Sequence, residues 1–137
     1  MGGDNVITSF WREGKKMSYG ELTDAFGEMI SKEVLAQLDS SNLEQFYVRS
    51  FESAYNAMKV YLEAKNYKVI NCKQALITAH KVKLIQDPVI WEKAWQIKES
   101  ILSNYESYEM NYKETLRDFI KESYYPALTE LNKKMKA

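Results

Sequence analysis

The sequence predicts an all-α protein: an up-and-down four-helix bundle with an additional short helix. Apolar residues from about position 18 to 135 recur at three- and four-residue steps, which is the period of an amphipathic helix. Prolines stand only at positions 88 and 126, and all five glycines lie within the first 27 residues, so most of the chain has few helix breakers. No stretch has the alternating pattern of a half-buried strand.

The clearest helical pattern covers residues 46–63, FYVRSFESAYNAMKVYLE. Nothing local stabilises so broad an aromatic face, so we expect the other helices to cover it. The spacing of Ser41 and Glu44 is that of a capping box, which predicts that this helix starts at Ser41 and continues to about Lys65.

A helix is also expected before this one, capped by Ser18 and running to about Leu38. Residues 1–17 have only weak periodicity. We therefore expect a loose N-terminal arm over 1–17 and a single helical-bundle domain over 18–137.

After a turn at residues 66–71, Asn71 is expected to cap the short helix, from Cys72 to about Lys83. Three apolar residues of that turn are expected to be tucked beneath it: Tyr67, Val69 and Ile70.

Asp87 followed by Pro88 predicts the start of the next helix, because aspartate favours the cap and proline the first helical position. Its apolar stripe is formed by Trp91, Ala94, Trp95, Leu102 and Tyr105. The tyrosine-rich stretch 103–111 is expected to bend or end this helix. A last helix is expected from about Tyr112 to Met135, with a kink at Pro126.

The composition of the chain argues against several classes of function. The 19 basic residues equal the 19 acidic residues in number, which argues against bulk electrostatic binding to nucleic acid or to an anionic membrane. The single cysteine, Cys72, cannot form an internal disulfide and suits a reducing compartment. No apolar run approaches the roughly 18 residues of a spanning helix, and no glycine-rich phosphate loop is present after residue 27. We therefore expect a cytoplasmic protein without a membrane segment.

Two polar residues on apolar helices are candidate site residues. Lys98 interrupts the stripe between Trp95 and Leu102, so it either binds a phosphate in a cleft or covers apolar surface with its stem while its ammonium reaches water. His80, the only histidine, has no cysteine or acidic pair at metal-ligand spacing. We predict no metal site and no cofactor.

A dense set of tyrosines offers a second kind of candidate: Tyr105, Tyr108, Tyr112, Tyr124 and Tyr125. Such residues either stack a nucleotide base and accept a nucleotidyl group on the phenol oxygen, or pack with their hydroxyls at the rim of the core. The sequence leaves both interpretations open.

Three blocks, in this order and spacing, resemble a known family. FESAYNAMKVYLE (51–63) resembles an aromatic helix ending in Tyr-Leu-Glu. ALITAHKVKLIQDPVIW (75–91) resembles a short helix, a Leu-Ile turn and an acidic helix start before a tryptophan. YYPALTEL (124–131) resembles a C-terminal Tyr-Pro helix. Together they are similar to the nucleotidyltransferase substrate-binding proteins, helical bundles of the HEPN group.

This resemblance implies a homodimer that partners a separate minimal nucleotidyltransferase, with nucleotide or RNA as a further ligand. Toxin-type members of the family carry Arg-x4-His-x-Tyr on the fourth helix, for RNA cleavage and for modification of the tyrosine. Counting from Trp91 places Lys98, Ser103 and Tyr105 at these positions. Counting back from Pro126 places Ile101, Glu106 and Tyr108 there.

Neither register supplies a histidine, so the acid–base role in RNA cleavage has no carrier. We therefore expect a non-catalytic nucleotide- or substrate-binding subunit, with the acceptor or nucleotide near Lys98, Ser103, Tyr105 and Tyr108. The alternatives are a toxin-type ribonuclease with a rearranged site, and a helical protein-interaction module that binds no nucleotide.

Overall fold

The computed structural model describes residues 19–39, 41–103 and 112–136, and this part of the chain is an all-α bundle without strands. Its elements are α1 (Tyr19–Met29), α2 (Lys32–Ala36), α3 (Leu43–Ala64), α4 (Cys72–Lys81), α5 (Pro88–Leu102), α6 (Tyr112–Phe119), a π-helical turn (Ile120–Tyr124) and α7 (Tyr125–Lys136). Four main segments form the up-and-down bundle: α1, α3, α5 and the continuous run α6–α7. The short helix is α4. The predicted fold class is confirmed. The predicted arm over 1–17 lies outside the described residues.

Helix α3 is the centre of the bundle, as its broad apolar face predicts. It packs against α1, α4, α5 and α7. Phe51 on α3 meets Trp91 on α5 with ring centroids 6.2 Å apart. Because α3 is covered on several sides, residues such as Tyr47, Ala54 and Leu62 are fully buried.

Two predicted helix starts are confirmed by their hydrogen bonds. Asn71 Oδ1 accepts from the Gln74 N–H at 2.9 Å, at the start of α4. Asp87 Oδ1 accepts from the N–H groups of Val89 and Ile90 at 3.1 and 3.3 Å, at the start of α5. Both side chains satisfy N–H groups that a helix start leaves without partners.

The predicted first helix, continuous to Leu38, is wrong. The chain leaves α1 after Met29, and Ser31 adopts an extended backbone conformation. Its hydroxyl accepts from the Val34 N–H at 3.3 Å and caps the separate helix α2. Serine in a helical pattern competes for backbone N–H groups, and here it starts a new helix.

The predicted capping box at Ser41 is also wrong. Ser41 donates from its N–H and its hydroxyl to Asp39 Oδ1, at 2.8 and 2.5 Å. The turn is closed by Asp39, whose carbonyl accepts from the Leu43 N–H at 3.0 Å, and α3 begins at Leu43.

The irregularity expected at Pro126 is a π-helical turn just before it. The Tyr125 N–H donates to the Ile120 carbonyl, five residues back. Pro126 has no N–H, and in an α-helix its ring would clash with the carbonyl of Glu122. The core residues Leu116, Ile120, Tyr124 and Leu128 stand at successive four-residue steps. Such steps overshoot an α-helical turn of 3.6 residues, and the wider π turn takes up the drift.

Some apolar residues expected in the core are exposed. In the turn before Asn71, Val69 is buried while Ile70 is 70% exposed and Tyr67 is 40% exposed. The expectation that all three are tucked beneath the turn is therefore wrong for Tyr67 and Ile70. Leu102, expected on the apolar stripe of α5, is the last residue of that helix and is 52% exposed.

Candidate functional site

Tyr124, a candidate nucleotidyl acceptor in the sequence, lies in the centre of the core. Its ring stacks on that of Tyr47, with centroids 4.4 Å apart. Its hydroxyl lies 2.7 Å from Ser50 Oγ and donates to the Tyr47 carbonyl at 3.2 Å. Burial raises the pKa of Tyr124 far above its ordinary value of 10.0. A protonated, fully buried phenol cannot serve as an acceptor, so Tyr124 has a structural role.

The Tyr47 hydroxyl extends this network to the third helix. It donates to the Ala94 carbonyl of α5 at 2.9 Å. The polar network therefore joins α3, α5 and the π-helical turn at one level of the bundle. Because buried hydrogen-bonding groups require partners, it fixes how the three segments pack together.

Lys98 lies over Phe51 and does not line either of the two grooves described below. Its ammonium is 5.5 Å from the Phe51 ring centroid and 3.0 Å from Glu99 Oε2. The Lys98 side chain is only 15% exposed. The stem therefore covers apolar surface, while the ammonium is paired with Glu99 and does not simply reach water as expected.

The three other predicted site residues divide between the end of α5 and the undescribed stretch. Ser103 is the exposed C-cap of α5, and its hydroxyl donates to the Ser100 carbonyl at 3.1 Å. Tyr105 and Tyr108 lie outside the described residues, so their roles stay predictions. Lys98 and Ser103 share no contact that would make a site.

Cys72, at the first position of α4, is a poor nucleophile. Burial raises the pKa of its thiol to about 11, although the nearby charge of Lys98 opposes this shift. A thiol with a raised pKa stays protonated near neutral pH, and the thiolate is the reactive form.

A groove of about 360 Å³ separates the outer faces of α4 and α5. His80 lies there, exposed, with Lys73 and Glu92 nearby and with Ile77 and Trp95 forming much of its apolar wall. No group of three metal-ligating side chains occurs within 19–39, 41–103 and 112–136, so His80 has no partners for a metal ion there.

A second groove, of about 500 Å³, has a different character, and we call it the basic groove. Three cations line it: Lys32, Arg117 and Lys121. The remaining lining residues are all aliphatic: Leu35, Ala36, Leu38, Leu43 and Ile120. The floor is continuous with the core, since Leu43 and Ile120 are fully buried.

The cations of the basic groove have no ion-pair partner among the described residues. Arg117 contributes to the field at Asp39, but the Asp39 carboxylate is held by Ser41. Those hydrogen bonds, more than Arg117, lower the pKa of Asp39. The groove therefore presents a net positive field above an apolar surface.

The sequence contains a local signal for the basic groove. Lys32, Leu35 and Ala36 have the spacing i, i+3, i+4, and so do Arg117, Ile120 and Lys121. Each set lies on one side of its own helical segment. Only the tertiary structure shows that the two sides line the same groove.

Comparisons of this chain with protein-family models, with curated proteins and with solved structures find no match. No helix in the described part is long and apolar enough to cross a bilayer. The family resemblance thus rests on the three sequence blocks. The structure places residues of all three in the core around α3, where Phe51 contacts Trp91 and Tyr124 contacts Tyr47.

Proposed function

We propose that this chain is a binding subunit without chemistry of its own, which holds an anionic substrate for a separate minimal nucleotidyltransferase. The observation that carries the proposal is the basic groove. Lys32, Arg117 and Lys121 surround an aliphatic floor and lack carboxylate partners within the described ranges. An anion bound there gains charge-assisted hydrogen bonds without breaking an existing ion pair.

The composition of the basic groove favours binding over catalysis. Its lining contains no histidine, cysteine, serine, threonine, tyrosine or carboxylate among the residues described. Of the side chains that usually serve general acid–base or covalent catalysis, the described lining offers only two lysines. In our proposal a partner enzyme supplies the other reacting groups.

The identity of the partner rests on the three-block resemblance, which also implies a homodimer. The absence of a histidine from either register of the Arg-x4-His-x-Tyr motif supports a non-catalytic subunit. Lys98 is less suited to hold a phosphate than the groove cations, because its ammonium is already paired with Glu99.

The test is capture of the tagged full chain from a lysate of its own cells, with the captured proteins identified by mass. We expect a minimal nucleotidyltransferase, and the isolated complex should transfer a labelled nucleotidyl group while the chain alone should not. A double variant, Arg117→Gln with Lys121→Gln, should still capture the enzyme but should weaken substrate binding.

Lys133→Gln is the matched control, because Lys133 is exposed on α7 and does not line the groove. Capture of no nucleotidyltransferase, or transfer by the chain alone, would contradict the proposal.

A further inference from the structure

We infer that the ligand of the basic groove is a soluble amphipathic anion, with a phosphate or carboxylate head and an aliphatic body. The inference rests on the proposed function, because it names the substrate class of the same groove. In this arrangement the groove holds the acceptor, and the nucleotide is supplied by the transferase.

The head group follows from the cations. Lys32 stands at one side of the groove, and Arg117 and Lys121 stand at the other. The three positive charges have no ion-pair partner among the described residues and repel one another, and a single anion between them relieves that repulsion. Arg117 presents a planar set of donors that fits both a phosphate and a carboxylate.

The body of the ligand follows from what lies beneath the cations. Leu35 and Leu38 are half-buried, and they lie beside the fully buried Leu43 and Ile120. An aliphatic chain laid on this floor removes the remaining apolar surface from water. It extends the packing of the core outward without requiring a polar partner.

The same lining is unsuited to a nucleotide base. Proteins recognise bases by stacking on aromatic rings or arginine planes and by hydrogen bonds to the base edges. No aromatic, amide or hydroxyl side chain lines the groove in the described part of the chain. Arg117 offers a plane on which a base could stack, but we assign its guanidinium to the anionic head group. The other described lining side chains offer only ammonium groups and aliphatic contacts.

The experiment is calorimetric titration of the full chain with four soluble probes: octyl phosphate, inorganic phosphate, octanol and adenosine triphosphate. We expect octyl phosphate to bind at least about tenfold more tightly than each of the other three, since only it supplies both the charge and the chain. Equal or tighter binding of adenosine triphosphate or of inorganic phosphate would overturn the ligand class.

Single substitutions test whether octyl phosphate binds in the basic groove. Lys121→Gln and Arg117→Gln should each weaken octyl phosphate roughly tenfold, because each removes a charge-assisted hydrogen bond. Lys133→Gln should leave its affinity unchanged. Ala36→Trp places a large side chain in the groove and should block binding while the helical circular dichroism is retained. Unchanged affinity in both charge variants would overturn the site.

A further titration with lipid vesicles distinguishes binding of a soluble ligand from binding to a lipid surface. Binding to vesicles of phosphatidylcholine with phosphatidylglycerol, without binding of octyl phosphate, would overturn the inference in favour of a membrane. The proposed partnership fails separately. Octyl phosphate binding without capture of a transferase rejects the partnership alone, and capture without octyl phosphate binding rejects the ligand class alone.

Discussion

The two sides of one short segment, from Arg117 to Tyr124, treat polar groups in opposite ways. On the inner side, the Tyr124 hydroxyl is fully buried and is hydrogen-bonded to Ser50 and to the Tyr47 carbonyl. On the outer side, Arg117 and Lys121 line the basic groove without an ion-pair partner among the described residues.

This difference between the inner and outer sides distinguishes polar groups that stabilise the fold from polar groups that are available to bind a ligand. A buried polar group needs a partner, because leaving it unpaired costs about 1–3 kcal/mol. An exposed cation is solvated by water and needs none. Fold stability therefore explains the hydrogen-bond partners of the buried polar groups. It does not explain why three cations surround an apolar groove. Changes on the inner side should lower stability, and changes on the outer side should lower affinity for a ligand.

The largest effect is expected from Tyr124→Ala, which removes a fully buried ring from the centre of the bundle. We expect the free energy of unfolding to fall by about 4 kcal/mol, because the change leaves a cavity and breaks the polar network. Urea unfolding measures this. The matched control is Tyr67→Ala at a partly exposed tyrosine, where the loss should be small. Equal losses of stability in Tyr124→Ala and Tyr67→Ala would contradict the structural role of the buried Tyr124.

The second test uses pH. Burial raises the pKa of Tyr124, so the folded protein keeps a proton that the unfolded chain loses above about pH 10. Stability from this group is complete below pH 10 and falls as pH rises further, by about 1.4 kcal/mol per pH unit. Burial also raises the pKa of Tyr19, to about 12, which adds to the decline.

Tyr124→Phe should remove the share that belongs to Tyr124, so its stability should decline less steeply above pH 10 than that of the wild type. Urea unfolding at a series of pH values gives the two slopes, with Tyr67→Phe as the control. Identical slopes in wild type and Tyr124→Phe would show that the buried phenol is not held protonated.

A smaller effect separates two buried serines on α3. Ser50 Oγ bonds to the Tyr47 carbonyl and the Tyr124 hydroxyl, at 3.1 and 2.7 Å. Ser53 Oγ is buried without a partner among the described residues. We expect Ser50→Ala to cost about 1 kcal/mol, because two hydrogen bonds are lost. Ser53→Ala should be neutral or slightly stabilising, since alanine is the better helix former. Chemical unfolding of the two variants measures both changes in stability. A larger loss in Ser53→Ala than in Ser50→Ala would contradict the stabilising role of the polar network.

The smallest stability change is expected in the basic groove. Lys121→Gln should alter the free energy of unfolding by less than about 0.5 kcal/mol, as is usual for an exposed side chain without partners. Thermal unfolding with and without octyl phosphate sharpens the comparison. The ligand should raise the unfolding temperature of the wild type more than that of the variant. A large loss of stability in ligand-free Lys121→Gln would give this lysine a structural role.

Much of the fold was predictable from particular residues. The unbroken period of residues 46–63 predicted the central helix, and Asn71 and Asp87 predicted two helix starts, because these signals are local. The break at Ser31 was missed, since a serine inside a helical pattern can equally remain in the helix. Tyr124 was ambiguous for a related reason, because a tyrosine suits both a core and a binding surface.

The candidate site was predictable only in part. A cation in the apolar stripe of α5 pointed to Lys98, which the structure instead places over Phe51 beside Glu99. The basic groove combines residues of α2 with residues 81 or more positions later, and no local pattern pairs two such segments. The proximity of Gly27 to Asn132 is likewise a tertiary feature, since a Cβ at Gly27 would lie 3.0 Å from the Asn132 amide nitrogen.

The sequence by itself determined the all-α class, the central helix and two helix starts, because periodicity and capping depend on residues within a few positions of each other. Tertiary structure alone decided that Tyr124 is fully buried in the core and how the π-helical turn aligns the last helix. It also decided which cations line the same groove. Those outcomes depend on how distant segments pack together, which also decides which polar groups find partners.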